Sequence, residues 1–547
     1  MIRKMIAAIL AGVVILSVPL SSDAAQIDGA GTGAQVEAAI VAADYAQVGG
    51  TLKPTSALPS SYSSADMGFT TPVRSQYYNT CWAYSSTATL ESLALTKGLA
   101  SPHLSTMHMN FWGCTKDDGT GWQRTYTSAG YPYIALGYLT SFGCVANTVF
   151  DEHKTETDYD ALQSSLEPFR IVDSVIYLDG SDRNTIKTAI YTYGGVIGNF
   201  HYNTPFLNDS TYAYYCDTSG LQTRQLNGHA IEIVGWDDSY SRTEFTGGHQ
   251  PSSPGAWLCK NSWGSSWGNS GYFWISYEDY YLFDSRFGPS YAITGCEPMA
   301  EFNKVKQNEI YGATYEFDYV QQGNSSLNKM TYANVFDFSD GYHHLDKVIF
   351  ESTSQGSTYS VYYIPVDTQG VPVPNTDQWM LLAQGTVDYE GYICAECYGF
   401  DAPQSKGAIG IQIKKNGATD ITIGVDEWLT TAGRYLFKPD STYGQSYLIG
   451  YQTKPTDVMD YYKTKLSDEV GGTFVIKALC HNDDIEDVEG DVDRDGALTV
   501  LDVTLVQRYL AHLAQLDEEQ LSYADYDKNG AVEIIDPTLM QRRLAQL

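Results

Sequence analysis

Positive charge is scarce in this chain. Lys and Arg total 33 against 65 Asp and Glu, a formal net charge of −32 at pH 7. Such a surface repels phosphate backbones, so nucleic acid is excluded as a partner class. Long apolar runs are scarce as well. One occurs, Met5 to Leu20, behind Arg3 and Lys4 and ahead of the small residues Ser22-Asp23-Ala24. Its charged start, short length and Pro19 read as a secretory signal over residues 1–24 rather than a membrane anchor. No later segment is apolar enough for a membrane span, and no cysteine follows the signal to carry a lipid, so an exported, secreted protein is expected. Paired metal-type cysteine motifs are missing too. Cys394-Ala395-Glu396-Cys397 has the spacing but no second pair nearby, which leaves a local disulfide or two free thiols as the ordinary readings. Nine cysteines are an odd number, so at least one stands outside any intramolecular pairing, and Cys81 is the candidate.

The 547 residues, 43% of them hydrophobic, suffice for two to four domains. Residues 25–57 are rich in Gly, Ala and Ser and read as a flexible segment with a short helical stretch, Val36 to Tyr45. Residues 58–300 are dense in aromatics and mixed in pattern. Residues 301–480 alternate with period two, as in Tyr359, Val361 and Tyr363 or Ile409, Ile411 and Ile413, and predict an all-β sandwich or barrel. Residues 481–489 form an acidic linker that self-repels and extends. Within 490–547, Gly490 to Leu513 aligns with Ala524 to Leu547 at 12 of 24 positions. Repeats this short cannot bury a core alone, so the two must pack on each other.

Three runs carry chemistry. Thr80-Cys81-Trp82-Ala83-Tyr84-Ser85 offers a thiol ahead of a stretch, Trp82 to Lys97, with few helix breakers. At a helix N-terminus a cysteine meets unpaired amides and the positive end of the dipole, which favour its thiolate. Downstream stand Asn227-Gly228-His229-Ala230 and Lys260-Asn261-Ser262-Trp263-Gly264. His229 can hold the proton taken from Cys81 and deliver it to a leaving amine, while Asn261 fixes the imidazole so that the correct nitrogen faces sulfur. Gln76 can donate its amide to an oxyanion beside the Cys81 N–H. Trp263 can cover the His229–Asn261 contact. Nucleophile, base and orienting amide in this order describe a cysteine hydrolase.

These runs, with Pro72-Val73-Arg74-Ser75-Gln76, Trp267-Gly268 and Gly271-Tyr272, resemble the papain family of cysteine peptidases over residues 58–300. The resemblance implies a two-lobed α+β catalytic domain that cuts proteins or peptides, with Cys81, His229, Asn261 and Gln76 catalytic. It further implies that Gly130, in Ser128-Ala129-Gly130-Tyr131-Pro132, pairs through its backbone with an extended substrate, and that Trp263 and Trp267 line the cleft. Two departures stand out. Four residues separate Gln76 from Cys81 where the family has five, and Asn79 replaces the expected glycine, so Asn79 is the residue expected to absorb an unusual backbone angle. The segment Asp238 to Gly255 lengthens the His-to-Asn spacing and is expected to be a surface loop near the cleft.

Asp491, Asp493, Asp495, the carbonyl of Ala497 and Asp502 occupy positions one, three, five, seven and twelve of a calcium loop, with Gly496 at the turn. Asp525, Asp527, Asn529, Ala531 and Asp536 repeat the pattern around Gly530. Helices are expected at Val503 to Leu510 and Thr538 to Leu544. Asp rather than Glu at position twelve, and the absence of a leading helix, set these loops apart from ordinary EF-hands. The module is similar to type I dockerins, duplicated all-α modules that plug into cohesins of cellulosome scaffolds. That similarity implies two structural Ca2+ ions. It also implies partner-reading positions at Val500, Leu501, Gln507 and Arg508, and at Ile534, Ile535, Gln541 and Arg542. The middle region, through Ala333-Asn334-Val335-Phe336, resembles the lectin-like β-sandwiches that follow the peptidase domain in some clostridial-type proteases. The expected protein is thus a secreted cysteine endopeptidase attached to a cellulosome. The alternative is a catalytically silent subunit that binds peptide, or polysaccharide through its sandwich.

Overall fold

The computed structural model describes residues 57–544 apart from 100–102, 117, 148–167, 169, 218–227, 285–288, 300–302, 319–329, 415–421, 428, 432–433, 451–452, 466–470, 483–487, 494–497, 512–515 and 517. The expected signal, nearly all of the N-terminal segment and the middle of the acidic linker lie outside the described residues, as do Asp495 and Ala497.

Helix α1 (Cys81–Thr96) is the axis of the first half. Proline and glycine are absent from it, and it is buried along most of its length, so its polar residues need internal partners. They find them one turn back: Ser86 Oγ donates to the Trp82 carbonyl at 2.6 Å, and the Thr87 and Thr89 hydroxyls to Ala83 and Ser85, each at 3.0 Å. Two further helices, α2 (Thr106–Trp112) and α3 (Pro132–Ser141), pack on α1 through a core that includes Trp82, Leu90, Leu93, Ile134 and Tyr138.

The other half is antiparallel sheet, with strands β1 (Ser61–Ser63), β2 (Arg170–Tyr177), β3 (Val196–His201), β4 (Gly228–Asp237), β5 (Ala256–Lys260), β6 (Tyr272–Ser276) and β7 (Tyr291–Pro298). Helix α4 (Arg183–Tyr193) covers it, capped by Asp182, which accepts from Thr185 N–H at 3.0 Å. The β4–β5 register pairs Glu232 with Lys260, which brings the start of β4 beside the residue that follows β5. His229 and Asn261 meet by this register. The segment from Asp238 to Gly255 is mostly exposed, as expected, and is pinned where Phe245 packs with Ala213 and Ala256.

The change of pattern near residue 300 marks a change of layer within one continuous sheet. Strands β8 (Asn303–Lys306), β9 (Thr331–Asp337), β10 (His344–Ser352), β11 (Thr358–Pro365), β12 (Met380–Thr386), β13 (Gly391–Asp401), β14 (Lys406–Lys414), β15 (Ser446–Ile449) and β16 (Ile476–His481) form the expected sandwich. One layer runs β12-β11-β14-β9-β15. The other runs β8-β16-β10-β13 and continues directly into β2-β7-β3-β4-β5-β6 of the first half. The join is the pairing of Gly391 with Ile176 and Tyr392 with Val175. Gly391 has φ 138°, and a Cβ there would lie 2.2 Å from the Val175 carbonyl, so the join requires glycine. Beside it, Lys477 is buried in an ion pair with Glu309 and donates to Ser141 Oγ on α3 at 2.7 Å. Asn334 holds the two layers together: its Nδ2 donates to the Phe474 carbonyl at 2.8 Å, and its Oδ1 accepts from Ser446 Oγ at 2.6 Å.

All nine cysteines are free thiols, including Cys394 and Cys397, which both lie on β13. The C-terminal module packs α5 (Val500–Leu510), α6 (Glu518–Ala524) and α7 (Ile535–Leu544) around Val492, Val503, Val506, Ala524 and Met540, drawn from both repeats. Helix α6 joins the repeats and carries no signature in the repeat pattern. No helix among the described residues is long and apolar enough to cross a membrane.

Candidate active site

Cys81 is the first residue of α1, and it is half-buried. The loop before it takes its left-handed turn at Tyr78, φ 56°, and not at Asn79. Side chains explain the displacement. Gln76 Nε2 donates to the Tyr78 carbonyl at 3.0 Å and the Thr80 hydroxyl donates to the Tyr77 carbonyl, so two consecutive carbonyls are drawn inward. The Tyr78 ring then packs edge-on to Tyr126 at 5.5 Å. Burial pushes the Cys81 thiol above its ordinary value, while backbone groups of Ala230, Trp82 and Cys81 itself favour the anion. The helix end acts in the expected direction, and burial outweighs it.

His229 Nε2 lies 2.9 Å from Asn261 Oδ1, and the same oxygen accepts from Ser262 N–H at 2.8 Å. Two donors on one atom mark it as the carbonyl oxygen, so Nε2 carries the imidazole proton and Nδ1 keeps its lone pair. The Trp263 ring lies over the imidazole, centroids 4.6 Å apart and planes at 23°. Tyr202 and Trp267 hold Trp263 edge-on at 4.8 and 4.9 Å. Burial lowers His229 to about 4 against the Asn261 bond, which raises it. The ring is therefore a neutral base at physiological pH.

Trp263 thus covers the imidazole, and Trp267 stands behind it against Tyr212 and Phe273 at 5.9 and 5.3 Å. Both support the base. Both rings also keep part of their surface exposed. Gln76 reaches the site through Ser262, whose Oγ donates to Gln76 Oε1 at 2.7 Å, but its Nε2 is engaged by Tyr78. An oxyanion would have to draw that donor away. Gly130 stands against the nucleophile helix: a Cβ there would lie 2.5 Å from the buried Trp82 ring. Gly130→Val is expected to lower kcat/KM by about tenfold and stability by about 1–3 kcal/mol through displacement of Trp82, measured by steady-state kinetics and urea unfolding. Opening the other side of the site has a different signature. Trp263→Ala lets water reach the imidazole, so His229 rises toward its ordinary value and the acid limb of kcat/KM moves up by about one pH unit. An unmoved limb would show that Trp263 does not shield the base.

Residues 58–285 match the papain family cysteine protease model. Cwp84, a surface layer associated protein of Clostridium difficile solved with its cysteine protease and lectin-like domains, is 31% identical, with a TM-score of 0.67 over 78% of this chain and 89% of that one. The clostridial cysteine protease Cwp84 after propeptide cleavage is 32% identical, with a TM-score of 0.66 over 77% of this chain and 99% of that one.

The chain belongs to the papain family of cysteine proteases.

The protease also carries a lectin-like domain at 310–479 and a dockerin type I domain at 489–545. Among curated proteins it resembles Cysteine proteinase 2 of Zea mays, 26% identical over 40% of this chain, and the Oryzain gamma chain of Oryza sativa subsp. japonica, 25% identical over 41%. It spans 55% and 56% of the length of those relatives.

In the protease's dockerin, one carboxylate oxygen from each of Asp491, Asp493 and Asp502 lies within 4.8 Å of the others, and Asp525, Asp527 and Asp536 repeat the arrangement. Asp502 and Asp536 are fully buried. Each closes its loop, Asp502 by accepting from the Val492 and Asp493 N–H groups at 2.7 and 3.0 Å, Asp536 from Asp527 N–H at 3.1 Å. Three converging carboxylates, two of them buried in the first loop and one in the second, are the donor set of a hard divalent cation, so these residues fit calcium. Asn529 contributes at the second loop, bonded through Nδ2 to Asp527 Oδ2 at 3.1 Å. Of the positions expected to read a partner, Val500, Ile534 and Ile535 are exposed large hydrophobics, Gln507, Gln541 and Arg542 are exposed, and Arg508 is half-buried. Leu501 lies on the same α5 turn as Val500.

Proposed function

We propose that this protease is an exported endopeptidase acting through Cys81, His229 and Asn261, and that its dockerin docks in calcium to a cohesin of a cellulosome scaffold. The observation that carries the catalytic reading is the His229 Nε2–Asn261 Oδ1 bond under Trp263, with the Ala230 backbone next to it facing Cys81. Cys81 Sγ attacks the scissile carbonyl carbon as its proton passes to His229 Nδ1. The proton then goes to the leaving amine as the C–N bond breaks. Water, deprotonated by His229, hydrolyses the thioester and frees Cys81. The Cys81 N–H, with Gln76 Nε2 once it turns from Tyr78, holds the oxyanion.

Export is supported by the signal-like pattern of residues 1–24. Docking is supported by the duplicated carboxylate loops and by the exposed apolar pairs beside them. The sandwich is read as a brace for the catalytic domain, given the shared sheet and the buried Lys477. The test is digestion of an unstructured protein such as casein, with cohesin capture run in calcium and in chelator. Casein cleavage that a thiol-protease inhibitor blocks, with capture in calcium alone, is expected. An intact casein substrate with normal capture would favour the silent binding subunit, and retention on insoluble polysaccharide would give the sandwich a sugar-binding role.

A further inference from the structure

A closed group of charges sits between the elements that carry Cys81, His229 and Asn261. On α1, Glu91 accepts from Arg74 Nη2 at 3.3 Å and from Leu104 N–H at 2.8 Å. Burial alone would raise its carboxyl, but Arg74, His103, Lys260 and Thr71 hold it down at about 2. Lys260, which directly precedes Asn261, pairs with Glu232 at 3.2 Å. Glu232 lies on the same strand as His229, and its Oε1 accepts from Ser92 Oγ of α1 at 2.5 Å. Glu232 is 1% exposed and Lys260 6%. Gly195 keeps the space clear, since a Cβ there would lie 2.5 Å from Glu232 Oε1. Nothing in catalysis as described uses this pair, although it touches all three catalytic elements.

Behind the triad is a small cavity bounded by Arg74, Tyr84, Ala230, Glu232, Lys260 and Asn261. Asn261 Nδ2 is buried and meets no acceptor among the described residues, and Glu232 Oε2 accepts no hydrogen bond there beyond its ion pair with Lys260. A donor and an acceptor on the wall of one cavity are the partners a bridging water needs. Asn261 orients His229 through Oδ1, so a water bridging its Nδ2 to Glu232 would fix the amide from behind.

We propose that Glu232, paired with Lys260, is a positioning residue for hydrolysis, orienting Asn261 through this cavity and setting the charge under which His229 takes its proton. The proposal rests on the triad reading. Attack by Cys81 creates an imidazolium; Glu232 neutralises Lys260, which directly precedes Asn261, and Lys260 left without that counter-ion would oppose the new charge. The titratable groups around Glu232 are Lys260 on β5 and Glu91 on α1, with Arg74 and His103 on the far side of Glu91.

The test compares pH profiles of wild type, Glu232→Gln and the double variant Glu232→Met/Lys260→Met in the full calcium-loaded chain. Glu232→Gln is expected to lower kcat about tenfold with KM within twofold, and to move the acid limb of kcat/KM to lower pH by about half to one unit. The double variant, which removes both charges, is expected to return the limb to its wild-type position. An acid limb and kcat both unchanged in Glu232→Gln, whatever happens to its thermal midpoint, would overturn the proposal. Should Glu232→Gln not fold, Glu232→Asp keeps the charge at shorter reach and is expected to hold the limb while lowering kcat; an unchanged kcat overturns the proposal. Failure of the triad reading looks different: wild type itself then shows no Cys81-dependent turnover.

Discussion

Cys81→Ala is expected to lower kcat/KM on a peptide substrate by at least about 10^4-fold. The side chain lost is small and half-buried at the first position of α1, where the fold depends on Trp82 and the apolar residues beyond it rather than on the sulfur. The thermal midpoint should therefore stay within about 2 °C of wild type, so the loss is one of chemistry. His229→Ala belongs to the same unit and should cost about as much, with no further loss when the two are combined, because residues that act together are not additive. A Cys81→Ala variant that keeps a tenth of its activity would mean that another group attacks the carbonyl.

Chelation of calcium is expected to unfold the C-terminal module and weaken cohesin capture by at least about 10^3-fold, with peptide turnover held within about twofold. Among the described residues the module's buried core is Val492, Val503, Val506, Ala524 and Met540, and its helices have 11, 7 and 10 residues, too short to persist alone. Each loop gathers three carboxylates that repel one another without a cation, and Asp502 and Asp536 are buried in addition. Circular dichroism at 222 nm should lose the module's helical signal on chelation and regain it with excess calcium. Asp502→Ala and Asp536→Ala should each reproduce part of the loss. Full capture in chelator would show that the loops fold and dock without the ion.

The triad's candidates were legible because each lies in a local run whose spacing is fixed by one element: the thiol by the first turn of α1, the imidazole and amide by the ends of adjacent strands β4 and β5. The sandwich strands were legible through alternation, which reports one buried face. What escaped reading is non-local. The join of β13 to β2 depends on two residues, Gly391 and Tyr392, meeting a strand more than two hundred positions earlier, and no pattern in either run announces it. Glu232, an acid between Ile231 and Ile233, acquires meaning only when the register sets Lys260 opposite. The turn before Cys81 shows the limit of residue preference: Asn tolerates positive φ better than Tyr, yet side-chain bonds from Gln76 and Thr80 placed the turn at Tyr78.

The most direct measurement is the intact mass of the full chain, reduced and calcium-loaded, after an epoxysuccinyl cysteine-protease inhibitor, beside a Cys81→Ala control. One adduct on wild type and none on the variant is the predicted result, since Cys81 is the free thiol at the start of α1 that the Ala230 backbone, next to His229, faces. No adduct on the folded wild type, or an adduct that survives Cys81→Ala, would contradict the assignment of Cys81 as the nucleophile.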